Sequence, residues 1–138
     1  MSTSTLLALF AAGLALTVVA LVVALVLAHQ HRPRGHIAGI VAFVAALLPT
    51  LVAAELIGAR FDFAPEARRI HLALAWATAA FLLAPMASGV QHWRGRVSRG
   101  AHKRISQVFL VLVALTVGTG VWMLSTRIER PAAGGGPG

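Results

Sequence analysis

TLLALFAAGLALTVVALVVALVLA, from Thr5 to Ala28, is a run of 24 residues without one charged side chain, and its reading decides the fold. At about 1.5 Å per residue a helix of this length crosses a hydrocarbon core of roughly 30 Å. Lipid offers backbone N–H and C=O groups no partner, so the run must be an α-helix. Three further apolar stretches follow, His36 to Ile57, Ile70 to Val90 and Ile105 to Leu124. Each is roughly 20 residues or longer, enough to span.

Composition agrees. The 138 residues are 58% hydrophobic, with a mean hydropathy of +0.81, above the apolar share of soluble domains. The first run is too long for a signal-peptide core and no basic residue precedes it, so it reads as a retained helix. Cysteine is absent, which excludes disulfides, thiolate metal sites and covalently attached haem. The +8 formal charge does not point to nucleic acid, because the basic residues flank the apolar segments and form no run.

Short connections make sequential helices antiparallel neighbours, predicting an all-α, four-helix transmembrane up-down-up-down bundle over residues 1–128. Helices 1 and 3, and 2 and 4, are expected on the diagonals. Pro49 and Pro85 fall inside helices 2 and 3 and are expected to bend them. From residue 129 the chain reads ERPAAGGGPG, a flexible Gly/Pro-rich tail over 129–138. No internal repeat stands out. Arg32 and Arg34 follow helix 1, and Arg94, Arg96, Arg99, Lys103 and Arg104 follow helix 3; neither loop holds an acid. The opposite side mixes Arg60, Arg68, Arg69, Arg127 and Arg130 with Asp62, Glu66 and Glu129. Seven basic residues against five put the odd-numbered loops in the cytoplasm and both termini outside.

The candidate chemistry lies in histidines at the ends of the apolar segments. Turning about 100° per residue, His71, Ala75, Thr78, Leu82, Gly89 and His92 share one stripe of helix 3. His102, Ser106, Phe109, Val113, Thr116 and Gly120 share one on helix 4, and His36, Gly39, Phe43 and Thr50 one on helix 2. His36 and His102 would meet at similar depth on a diagonal pair. Two neutral imidazoles on opposite sides of an iron are what a six-coordinate b-type haem needs. Arg34, Lys103 and Arg104 stand near enough to pair with its propionates. The competing reading makes these histidines interfacial, satisfied by water and phosphate, above all His29, His31 and His92. A third assigns His29, His36, His92 and His102 to a transition metal, which imidazole suits.

Glu55 lies about one turn inside the end of helix 2, and an ionisable residue within a span is a functional candidate. Paired with His71 it would relay protons or orient a quinone head group; the alternative pairs it with Arg60, Arg68 or Arg69. Trp93 and Trp122 suit interfacial anchoring. Gly35-x-x-x-Gly39 has the spacing of a close helix contact.

RGHIAG opening helix 2, RRIHLALA opening helix 3, APMASGVQHWRG closing it, and RGAHKR with TVGTGVWML across helix 4 resemble the YozB/CtaM-like family of small four-helix membrane proteins. They are similar, more loosely, to di-haem cytochrome b electron carriers. The first resemblance implies a role in the biogenesis or function of haem-copper terminal oxidases in a bacterial inner membrane. The second implies electron transfer between a quinone or soluble donor and an acceptor. Both carry over His36, His71 and His102. The expected function is an electron-carrying subunit with haem b, beside a larger respiratory complex, more a carrier than an enzyme by itself. Its counterpart is an accessory or assembly subunit without cofactor. A proton-coupled or metal transporter would need more intramembrane charge than Glu55 alone.

Overall fold

A computed structural model describes residues 1–129. It is all-α, with helices α1 (Thr3–His29), α2 (Pro33–Arg60), α3 (Pro65–Phe81), α4 (Leu83–Trp93) and α5 (Arg99–Ser125). Two-residue strands, β1 (Phe61–Asp62) and β2 (Ile128–Glu129), complete the order. Among the described residues four stretches are long and apolar enough to cross a membrane: α1, α2, α3 with α4 as one span of 29 residues, and α5. The tail expected over 129–138 lies outside the described residues, apart from Glu129 in β2.

The helices run beyond the apolar stretches at both ends, because caps end a helix whereas hydropathy marks only the hydrocarbon. Ser2 caps α1 by accepting from the Thr5 amide at 3.1 Å, and Ser98 caps α5 through Ala101 at 3.2 Å. Pro33 and Pro65 open α2 and α3 at the first turn, where proline's missing N–H is harmless. The two prolines inside spans behave differently. Pro49 lies within α2, which continues unbroken, whereas the third span is interrupted at Leu82. There Pro85 cannot donate to the turn before it, and the neighbouring Met86 amide reaches the Leu82 carbonyl only at 3.5 Å.

The chain divides into two compact units, Met1–Phe61 and Asp62–Gly138. In the first, α1 and α2 form an antiparallel pair in which small residues set the spacing. Gly39 faces Ala24, Gly35 faces Leu27 and Gly13 faces Thr50. A Cβ on Gly39 would come within 2.9 Å of the Ala24 Cα, so the Gly35-x-x-x-Gly39 spacing is a true helix contact. Hydrocarbon gives apolar helices no hydrophobic reason to associate, and such close approach supplies van der Waals contact instead. Gly39, Phe43, Ala46 and Thr50 are the buried face of α2. The Thr17 and Thr50 hydroxyls, which donate to the carbonyls of Gly13 and Ala46, meet at 3.4 Å.

In the second unit α3 and α4 pack antiparallel to α5. The Ala64 amide donates to the Thr126 hydroxyl at 3.2 Å. Further along, the Thr78 hydroxyl donates to the Leu74 carbonyl at 2.7 Å and stands 2.7 Å from that of Thr116.

Two helices end in the same way. After α1 the amides of His31 and Arg32 bond to the carbonyls of Ala28 and Leu27; after α4 those of Gly95 and Arg96 bond to His92 and Gln91. Both are Schellman caps, and their left-handed residues are His31 (φ 57°) and Gly95 (φ 71°). Left-handed backbone costs a side-chain-bearing residue about 1 kcal/mol. His31→Gly should therefore stabilise the protein by about 0.5–1 kcal/mol and Gly95→Ala destabilise it by a similar amount. Unfolding of both variants in detergent checks this.

Candidate functional site

Four of the six histidines are held through Nδ1 by an oxygen of their own unit. His36 Nδ1 is 2.9 Å from the Ala24 carbonyl. Carbonyls only accept, so His36 donates from Nδ1 and carries its lone pair on Nε2. His92 donates from Nδ1 to the Val97 carbonyl at 2.9 Å. His102 Nδ1 lies 2.8 Å from Ser88 Oγ, whose hydroxyl donates to the Pro85 carbonyl at 3.1 Å. Ser88 thus accepts from His102. His71 Nδ1 meets Thr119 Oγ1 at 3.3 Å, and Thr119 in turn donates to the carbonyls of Leu115 and Thr116. Histidines that ligate metals generally donate their second ring N–H to such an oxygen, which sets tautomer and ring orientation. Buried histidines serving only as packing are satisfied in the same way.

The expected partners are distributed differently. His36 belongs to the first unit and His102 to the second, and each has its hydrogen-bond partner within its own unit. The same division separates Glu55 from His71. Glu55 is exposed on α2, and the Arg60 guanidinium donates to the Met1 carbonyl at 3.0 Å. Arg34, Lys103 and Arg104 are exposed, as are His29 and His31.

The imidazole beside His102 is His92, its ring centroid 6.0 Å away and its plane tilted by 7°. Among the described residues no group of three or more His, Asp or Glu side chains could hold a metal ion.

Each seam histidine of the second unit also rests on a glycine of the facing helix. A Cβ on Gly89 would stand 3.3 Å from His102 Cε1, and one on Gly120 3.0 Å from His71 Cε1. The glycines make room for the rings. Helical phasing placed both histidines and both glycines on the inward stripes, but not Ser88, only 5% exposed, or Thr119.

A signal for them is present. His71, Ser88, Gly89 and Val90 recur 31 positions later as His102, Thr119, Gly120 and Val121. Both spans therefore read His-x16-[Ser/Thr]-Gly-Val, and because they run antiparallel each histidine meets the hydroxyl and glycine of the other. The expectation of no usable repeat fails here. Four matched positions are invisible to overall similarity and become a repeat only when they touch. The second unit has an approximate two-fold relation between its helices, as in inverted-repeat membrane proteins. Symmetry stops at the ends, since the position equivalent to His92 is Met123.

Compared with protein-family models, curated proteins and solved structures, the chain shows no significant match.

Proposed function

We propose that this chain is a multi-pass membrane subunit of a respiratory electron-transfer system and that its histidines hold a b-type haem, with His36 and His102 as iron ligands. The reading rests on one observation. Both imidazoles donate from Nδ1, to Ala24 and to Ser88, which leaves Nε2 as the atom with the lone pair that iron requires. In donor type and tautomer these residues fit the group. Arg34 and Arg104, exposed and each two positions from a proposed ligand, supply cations for propionates. When bound, haem would carry one electron at a time between donor and acceptor. The resemblance to the YozB/CtaM-like proteins and to cytochrome b carriers points the same way, toward a larger respiratory complex in a bacterial inner membrane. In that setting Glu55 and His71 are the residues for a proton or quinone.

Purified from haem-replete cells, the protein should show a Soret band that sharpens on reduction, and His36→Ala and His102→Ala should each lower haem content several-fold. A protein without a Soret band, or variants with unchanged haem, would sink the reading. One observation favours a second reading, an accessory or assembly subunit without cofactor. His102 already has a glycine notch, a serine partner and a stacked imidazole, the surroundings of a packed residue. Co-purification with an oxidase and no bound haem would establish that alternative.

A further inference from the structure

We propose that the segment Trp93–Arg104, the loop between α4 and α5 with the first turn of α5, is a preorganised seat for the phosphate headgroups of anionic phospholipid. The repeat in the second unit isolates the feature. Its two ends share the same seam of histidine, hydroxyl and glycine but differ in charge. The end that contains Asp62, Glu66, Arg68, Arg69 and Arg127 mixes charges. The other carries Arg94, Arg96, Arg99, Lys103 and Arg104, and no acid occurs anywhere between Glu66 and Glu129.

Three local devices order the backbone that carries those cations. The Schellman cap at Gly95 turns the chain out of α4, His92 Nδ1 grips the Val97 carbonyl, and Ser98 caps α5. Arg94, Arg96, Lys103 and Arg104 all remain exposed, and Trp93 beside them is 82% exposed. An indole and several cations at the ends of two apolar spans belong at headgroup depth, where Trp, Lys and Arg concentrate. The closest abundant negative charge at that depth is the lipid phosphate, and an ordered loop loses less entropy in binding it. The assignment does not require haem, and Arg104 is the one cation it shares with the propionate reading.

The test compares two triple variants of the full chain that remove equal charge, Arg94→Gln/Arg96→Gln/Arg104→Gln at this loop and Arg68→Gln/Arg69→Gln/Arg127→Gln at the other end. Delipidated protein in neutral detergent is titrated with phosphatidylglycerol and, separately, phosphatidylcholine, with bound lipid counted by native mass spectrometry. Circular dichroism confirms the helices of each variant. The wild type should prefer phosphatidylglycerol, the preference should weaken with salt, and the loop triple should reduce it by about 100-fold, at about fivefold per cation near an anionic surface. The triple at the other end should keep it. Equal losses in both triples would reduce the effect to net charge and overturn the proposal. So would a wild type indifferent to headgroup, or a loop triple that still prefers phosphatidylglycerol. Should Gln variants fail to fold, Arg94→Lys/Arg96→Lys, which keeps the charge, must retain the preference.

Discussion

Gly39→Val should destabilise the α1–α2 pair by about 3 kcal/mol, the upper part of the range for overpacking. The new Cβ alone would stand 2.8 Å from the Ala24 Cβ, 2.9 Å from its Cα and 3.2 Å from its amide nitrogen. Two of these are backbone atoms of α1, which no rotamer change can remove. The helices must separate, giving up contacts on both sides of Gly39 and drawing His36, three residues away, from the Ala24 carbonyl. Gly58→Val is the control, since Gly58 is in the same helix with nothing within 4 Å of its added Cβ. It should change stability by less than about 0.5 kcal/mol. Unfolding in mixed detergent micelles measures both, and equal effects would refute the close contact.

Gly120→Val should cost about 2 kcal/mol and should be partly relieved by His71→Ala. The imidazole of His71 occupies the space that a side chain at 120 would need, with Cε1 3.0 Å from the first added carbon. Forced aside, the ring also loses its 3.3 Å hydrogen bond to Thr119. In the double variant the clash is gone, so its cost should fall short of the sum of the two single costs by at least about 1 kcal/mol. The two-fold relation makes a companion prediction. Gly89→Val with His102→Ala should couple with the same sign, because His102 lies on Gly89 as His71 lies on Gly120. Additive costs at either end would mean that ring and glycine do not compete for one space.

Much of the helix-face reading was legible in the residues. Periodicity put Gly39, Phe43 and Thr50 on one side of α2, and the structure buries all three. It put Thr116 and Gly120 on the His102 face of the last span, and that face meets α3 in the structure, where Thr116 touches Thr78 and Gly120 receives His71. Hydropathy located the four spans but not their ends, because the capping by Ser2, Ser98, Pro33 and Pro65 occurs in polar sequence outside the hydrocarbon. His31 in a left-handed cap was not foreseeable, since glycine is the usual residue there. The candidate site was legible only in part. Its histidines were evident, yet the ring beside His102 is His92, which phasing puts on the stripe of His71 and which its place at the end of the apolar segment marks as interfacial.

The run Thr5 to Ala28 and its three companions were enough, without coordinates, to require helices that cross a membrane. Length and the absence of charge leave the backbone no other way to satisfy itself in lipid. Which atoms those helices bring together was a matter for tertiary structure. A histidine's tautomer depends on whether its Nδ1 faces a carbonyl or a hydroxyl. The Ser88 and Thr119 hydroxyls reach His102 and His71 only because antiparallel packing joins residues 14 and 48 positions apart in the chain. Spacing along one helix cannot encode the register of its neighbour, and here close contacts at glycine set that register.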